Sequence, residues 1–398
     1  MPDYVGGNRL TLLKNGEQYF PALVAALDAA KVDVFLETYI FADDETGTQI
    51  AEALARAAAR GVATHVLVDG FGAKDTAPRF REVFAKSGVE LLVFRPQVSP
   101  WPLWKQRSRL RRMHRKLASA DGEVAFVGGI NIINDYDTPG MTPPRYDYAV
   151  RVEGPLAARV HAEASKLWTR VSWATLGRRW RRWPGFAALR RSAPRQAPAA
   201  PAPVSGGQRA ALVVRDSLRH RRDIEAAYLE QIEAARDEVV IACAYFFPGR
   251  RFRIALARAA HRGVNVTVLL QGKVEYTLLY YAARALYRPL QLAGVKIHEY
   301  HRSFLHAKVA AFDGRVACVG SSNIDPFSLL LAQEANVFVD DAGFAAELRA
   351  SLHDAIENGS MAIPRRRRHL PFLLRARIWW SYRFARLLLH FYGFDRQH

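Results

Sequence analysis

The chain is 398 residues long and half of it is hydrophobic, enough to fill the cores of two or three domains. Its two cysteines, Cys243 and Cys318, each in an apolar run, exclude a disulfide framework and a cysteine-built zinc site and fit a reducing compartment. The net charge of +19 points to an anionic partner, and the lack of a secretory h-region or of any apolar run of about 18 residues predicts no membrane-spanning helix.

In chain order, Asn15-Gly16-Glu17 reads as a turn. Tyr19 to Ala30 puts Phe20, Leu23, Val24 and Leu27 on one helical face. Val32 to Phe41, rich in β-branched and aromatic residues, reads as a strand. An alanine-rich helix from Thr48 to Arg60 stops at Gly61, and Val62 to Val68 follows as a strand. Arg79 to Lys86 and Val89 to Phe94 repeat the helix and strand. A basic loop from Arg95 to Met113 carries Trp101 and Trp104. His114 to Ala120 is strand-like, Asp121-Gly122 a turn, Val124 to Val127 the returning strand, Asp147 to Val152 a further strand, and Leu156 to Trp168 a helix. The alternation predicts an α/β fold with a largely parallel or mixed sheet flanked by helices.

The second half repeats the first. Ala55 to Gly70 and Ala257 to Gly272 share ten identities in 16 positions, an internal duplication. Gly88 to His114 spans 26 residues where Gly294 to His306 spans 12, so the Trp-bearing loop is an insertion in the first copy. Four regions are predicted: a first subdomain over 1–175, a basic Trp segment and Pro/Ala linker over 176–207, a second subdomain over 208–360, and a tail over 361–398.

The basic charge is concentrated. Ser99 to Met113 has five basic residues and no acid, Ala164 to Arg215 has eleven and none, and Pro364 to His398 has nine arginines against one aspartate. Such acid-free stretches predict contact with nucleic acid or anionic lipid. In the tail, Arg365, Arg366, Arg367 and Arg368 precede an apolar run holding Trp379 and Trp380, with Arg375, Arg383, Arg386 and His390 on an arc of about 80°. This describes a helix lying on an anionic bilayer; docking on the protein core is the alternative.

The duplication carries a motif. His114 and Lys116 are followed by Asp121, and His306 and Lys308 by Asp313, both as His-x-Lys-x4-Asp. Seventeen residues after each histidine stands an asparagine, Asn131 and Asn323, behind a turn of small residues. Lysine and asparagine donors suit the non-bridging oxygens of a phosphodiester. One neutral histidine can attack phosphorus while the other protonates the leaving alcohol. Asp147 and Glu334, each opening a strand-like run downstream of a motif, are the candidates to orient the imidazoles. Asp121 and Asp313 sit at turns, where hydrogen bonding to backbone is at least as good an assignment as catalysis. The lysines would repel a cation, so neither a metal nor another cofactor is expected.

These residues resemble the phospholipase D superfamily. Leu36-Glu37-Thr38-Tyr39-Ile40-Phe41, Phe126-Val127-Gly128-Gly129-Ile130-Asn131 and Gly320-Ser321-Ser322-Asn323-Ile324-Asp325-Pro326 are similar to the bacterial cardiolipin synthases, most of all to the B type. The resemblance implies two pseudo-symmetric subdomains with the active site at their interface. It implies phosphatidyl transfer from one phosphatidylglycerol to another with release of glycerol, and a peripheral place on the cytoplasmic face of the membrane with no nucleic-acid partner. It makes His114 the nucleophile and His306 the acid. A hydrolase or nuclease on the same scaffold is the alternative.

Overall fold

The computed structural model describes residues 2–96, 112–138, 140–180, 201–216, 220–274, 277–325, 328, 332–365 and 371–391. Trp101, Trp104, Arg366, Arg367 and Arg368 lie outside these, as does most of the expected linker.

The first half runs β1 (Val5–Lys14), α1 (Asn15–Ala29), β2 (Asp33–Thr38), α2 (Glu45–Ala59), β3 (Ala63–Asp69), α3 (Ala77–Ser87), β4 (Glu90–Phe94), β5 (Leu117–Ala120), β6 (Val124–Gly128), β7 (Tyr148–Glu153) and α4 (Pro155–Trp180). The second runs β8 (Gln208–Arg215), α5 (Asp223–Ala234), β9 (Glu238–Cys243), α6 (Arg250–His261), β10 (Asn265–Gln271), α7 (Thr277–Leu292), β11 (Lys296–Tyr300), β12 (Lys308–Phe312), β13 (Val316–Gly320), β14 (Glu334–Asp340) and α8 (Ala342–Gly359). A short β15 (Ser360–Ala362) and α9 (Phe372–Phe391) close the chain.

The strands form one mixed sheet in the order β15-β11-β10-β9-β12-β13-β14-β8-β1-β7-β6-β5-β2-β3-β4. Read outward from the β8–β1 seam, the two sides repeat the same succession. The βαβ units supply the parallel pairs β2–β3–β4 and β9–β10–β11, because a parallel return needs a crossover helix. Tight turns at Gly122 and Gly314 supply the antiparallel hairpins β5–β6 and β12–β13.

The seam strands β1 and β8 were not expected. In β1 the alternation of buried Leu10 and Leu12 with exposed Arg9 and Thr11 is clear only after Gly6-Gly7, and the two seam strands pair through a bulge. Asn15-Gly16-Glu17, expected as a turn, starts α1, with Asn15 itself at φ 57°. Helix α4 runs through the boundary expected at residue 175.

Three hydrophobic clusters hold the layers. α1, α2 and α3 cover one face of the first half, and α5, α6 and α7 cover the second. A third cluster draws on both: Leu156, Val160 and Leu167 of α4 meet Phe344, Leu348 and Leu352 of α8 and strand residues of each half. The halves therefore share a core, which fixes their relative placement to the precision a shared site requires.

The tail helix is docked and also exposed. Its Ala385 is buried in the second-half cluster, Tyr382 lies 6.0 Å from the ring of Phe247, and the Arg377 guanidinium stands 4.4 Å from that of Tyr281 on α7. Phe372, Leu373, Trp379, Trp380, Phe384 and Leu387 stay exposed on the rest of the helix. Among the described residues no helix is long and apolar enough to cross a membrane.

Candidate active site

Each histidine stands just before the strand that opens its hairpin, β5 or β12. Its position is set by an unusual piece of backbone. Met113 and Gln333 form a parallel bridge, as do Tyr146 and Leu305. The His114 N–H donates to the Gln333 carbonyl at 2.9 Å, and the His306 N–H to the Tyr146 carbonyl at 2.9 Å. Gln333 precedes Glu334 and Tyr146 precedes Asp147. Each motif is thus laced to the strand that opens with the other half's carboxylate.

The side chains follow. His114 Nδ1 pairs with Glu334 Oε1 at 2.9 Å, and His306 Nδ1 with Asp147 Oδ2 at 2.7 Å. Asp147 and Glu334, expected from their spacing to serve the histidine of their own half, serve the opposite one. The physical reason is the two bridges, which bring residues 159 and 220 apart in sequence side by side. A carboxylate at Nδ1 fixes the tautomer and leaves Nε2 for chemistry.

The supporting shell differs between the copies. The Asp147 carboxylate packs against Gly129, where an added Cβ would lie 2.3 Å from Oδ1. At the corresponding place the second copy has Ser321, whose hydroxyl donates to Glu334 Oε2 at 2.5 Å and accepts from the Ala335 N–H at 3.0 Å. Tyr39, quoted in the resemblance but given no role, sets its ring edge-on to His114 at 4.9 Å, with Lys116 Nζ 5.5 Å from the same ring. β2 pairs Glu37 with Leu117 and β9 pairs Ala242 with Val309, so Tyr39 corresponds to Ala244. That register was the only signal for it. Arg115, inside the first motif, makes a bidentate buried pair with Glu37, at 2.8 Å for each bond.

Lys116 and Lys308 are buried, each donating to the carbonyl of its own histidine. Burial pulls the Lys116 ammonium down to about 7, opposed by Glu334 and reinforced by Lys308. Burial also lowers His114, and lowers His306 well below its ordinary value with the help of Lys308, Lys116 and His114. Burial raises Asp147 to about 6 against the pull of Lys308. Lys308 disfavours protonation of Lys116, and both lysines disfavour protonation of the two imidazoles. A bound anion relieves this crowding.

Asn131 and Asn323 are buried beside the motifs. Asn131 Oδ1 accepts from the Ile40 N–H at 3.2 Å, and Asn323 Oδ1 from the Cys243 thiol at 3.8 Å. Among the described residues no partner is recorded for either side-chain NH2.

Asp121 and Asp313 are elsewhere. The Asp121 carboxylate accepts the N–H groups of Lys31, Val32 and Asp33 at 2.8, 2.8 and 2.9 Å. Asp313 accepts those of Arg236, Asp237 and Glu238, each at 2.9 Å. The catalytic reading of these two aspartates is corrected: they clamp the entries of β2 and β9 to the hairpin turns. A strand rises about 3.3 Å per residue, so the five residues from Lys116 to Asp121 carry the carboxylate some ~15 Å along the hairpin.

Residues 23–168 and 228–355 match the family described as cardiolipin synthase, PLD-like domain. Cardiolipin synthase B of Escherichia coli (strain K12) is 38% identical over 386 residues, covering 97% of this chain and 88% of that protein. The probable cardiolipin synthase YwiE of Bacillus subtilis is 30% identical over 359 residues, 90% of this chain and 68% of that one. Among solved structures, the phosphatidylserine synthase of Haemophilus influenzae shares the fold with a TM-score of 0.66 at 12% identity, over 91% of this chain and 89% of that chain. The chain belongs to the cardiolipin synthase family of the phospholipase D superfamily.

Proposed function

We propose that the protein is a peripheral membrane phosphatidyltransferase that converts two phosphatidylglycerols to cardiolipin and glycerol. The observation that carries this reading is the pair of crossed histidine–carboxylate bonds with a buried lysine on the carbonyl of each histidine, in a chain of this family. Nδ1 of each imidazole is committed to a carboxylate, so Nε2 is the reacting atom. Nε2 of His114 attacks phosphorus as the P–O bond to glycerol breaks, and His306 gives its proton to the departing oxygen. The acceptor hydroxyl then returns a proton to His306 and attacks phosphorus, and the N–P bond breaks. Lys116, Lys308, Asn131 and Asn323 stabilise the charge on the non-bridging oxygens. An arriving phosphodiester anion raises the proton affinity of the imidazoles, which allows His306 to become the acid only when substrate is present.

The docked tail supports the membrane part. Trp379 and Trp380 project beside arginines, the Arg383 guanidinium 5.7 Å from the Trp379 ring, a surface suited to an anionic headgroup layer. Arg365, at the head of the polyarginine run, is exposed and donates to the Leu292 carbonyl at 3.3 Å.

The test presents purified protein with phosphatidylglycerol vesicles and, separately, plasmid DNA, both in EDTA. Cardiolipin and glycerol in equal amounts are expected, with both abolished in His114→Ala and His306→Ala. Cleavage of DNA, or phosphatidic acid as the sole lipid product, overturns the reading. Trp379→Ser with Trp380→Ser is expected to lower binding to phosphatidylglycerol vesicles about tenfold.

A further inference from the structure

The bridges that cross the halves place a second cross-strand pair beside each histidine–carboxylate pair. Alternate residues of an extended segment share a face. Flanking the bridge of Tyr146 to Leu305, Asp147 meets His306 and Arg145 meets Phe304. The Arg145 guanidinium stands 5.0 Å from the Phe304 ring, and the Phe304 ring is stacked on the His306 imidazole at 6.4 Å. Arginine, phenyl ring and imidazole form one file that ends on a reacting histidine.

The other bridge, Met113 to Gln333, repeats the arrangement with its arginine on the opposite strand. Arg112, just before Met113, lies 5.1 Å from the Phe71 ring and 3.9 Å from the Asp69 carboxylate. Each histidine therefore has an arginine beside its bridge, and the one on the His114 side is matched by an acid. Arg145 is not. Among the described residues its recorded side-chain hydrogen bond runs from Nη2 to the Asp137 carbonyl at 2.8 Å, its Nε is buried without a partner, and no carboxylate is in ion-pair contact with it. Asp135, whose carboxyl feels its charge, accepts the Gly16 N–H, and Asp147 is committed to His306. Stacking on Phe304 holds the guanidinium in place, and its planar fork matches two oxygens of a phosphate.

In the phosphatidyltransferase reading His306 takes the proton of the acceptor hydroxyl. When the acceptor is a second phosphatidylglycerol, its own phosphate follows that hydroxyl by the length of one glycerol. Water and simple alcohols carry no such phosphate. We propose that Arg145 selects the acceptor: it holds the phosphodiester of the second phosphatidylglycerol while the terminal hydroxyl of that lipid lies at His306. The proposal rests on the phosphatidyltransferase reading and adds to it the residue that tells a lipid acceptor from water. The acceptor O–H gives its proton to His306 Nε2, its oxygen bonds to phosphorus, and the bond from that phosphorus to His114 Nε2 breaks. Arg145 holds the phosphate that does not react.

The experiment supplies phosphatidylglycerol in mixed micelles with a fixed amount of ethanol and measures cardiolipin, phosphatidylethanol and phosphatidic acid together. All three arise from one phosphatidyl-enzyme. Their ratio therefore reports the acceptor step and is indifferent to donor binding and to the fraction of protein that is folded. Arg145→Gln is expected to lower the ratio of cardiolipin to phosphatidylethanol about tenfold to a hundredfold, the loss of a hydrogen-bonded contact between charged groups. Arg145→Lys keeps the charge, loses the fork and should fall between. Products that decline together at an unchanged ratio overturn the proposal and leave Arg145 a staple for its own loop through Asp137. A wild type that makes no cardiolipin sinks the phosphatidyltransferase reading instead. In that case, or if a variant gives no product, calorimetric titration of glycerophosphoglycerol, which is phosphatidylglycerol without its acyl chains, decides whether Arg145 holds a phosphodiester. Binding about tenfold weaker in Arg145→Gln supports it, and equal binding overturns it.

Discussion

Gly129 and Asp147 are in such close contact that a single methyl group on the glycine would occupy the carboxylate's place, 2.3 Å from Oδ1. Gly129→Ala is expected to push Asp147 off His306 and to lower kcat about tenfold to a hundredfold, the usual range for disturbing an orienting partner. Ser321→Ala, at the matching position, opens space instead. It leaves Glu334 Oε2 and the Ala335 N–H without the hydroxyl and should cost about 1–3 kcal/mol of stability. Steady-state rates and denaturant unfolding of the two variants separate these outcomes; equal effects on both readouts would refute the asymmetry.

The crossed pairing is checked by titrating the two imidazoles individually by NMR. Each carboxylate favours protonation of the ring it touches. Asp147→Asn should lower the pKa of His306, which it touches, more than that of His114, which also feels its charge, while Glu334→Gln should act mainly on His114. If each variant moved the histidine of its own half more, the crossing would be wrong. Each should also lower kcat/KM about a hundredfold or more, as loss of an orienting carboxylate does in other histidine-dependent enzymes.

Lys116 gives a pH dependence of known sign. Its pKa is lowered to about 7 in the folded, empty protein, while in the unfolded chain it is that of an ordinary lysine near 10.4. Between those values the unfolded state binds the extra proton, so this group makes stability rise with pH. Wild type should therefore gain stability relative to Lys116→Met from pH 7 upward. Above pH 7 the empty site also loses a positive charge, so KM should rise while kcat, measured with phosphodiester bound, holds to higher pH. A gap between wild type and Lys116→Met that stays constant from pH 6 to pH 10 would contradict this.

Asp313 tests the corrected role of the motif aspartates. Burial raises its pKa, but the N–H groups of Glu238, Arg236 and Asp237 outweigh it and hold the carboxyl below its ordinary value. Its contribution is complete above the unfolded pKa, near 4, and is lost as pH falls through the lower folded value. Asp313→Asn should cost about 1–3 kcal/mol at neutral pH, with the deficit shrinking in acid. The kcat of the folded variant should stay within about threefold of wild type, against the many decades lost when a reacting group is removed. A large fall in kcat with unchanged stability would return Asp313 to the chemistry.

Much of this was legible in the residues. The duplicated motif pointed to two histidines and two lysines that the fold brings together, and its spacing to two asparagines buried beside them. Asp147 and Glu334 were found as well, but with the wrong partners. From spacing alone each carboxylate stands at a plausible distance from its own histidine, and nothing local reveals bridges between segments 159 and 220 residues apart. Asp121 and Asp313 mislead for the opposite reason, since the motif that marks the site includes residues whose work is at the hairpin turns. Tyr39 and Ser321, though quoted in the resemblance, drew no role because their importance lies in which residue faces them across a strand. The tail was read as lying on a bilayer, with docking on the body as the alternative; α9 is docked on α7 and Phe247, while its Phe372, Leu373, Trp379, Trp380, Phe384 and Leu387 stay exposed.

The reciprocal backbone bridges have a consequence for how the protein fails. Each imidazole is aimed by the opposite half, so a small separation of the halves disengages both at once while every helix and strand remains intact. Heating or mild denaturant should therefore abolish activity in a transition that precedes the loss of secondary structure. Rejoining the halves, rather than refolding either of them, should then limit the return of turnover.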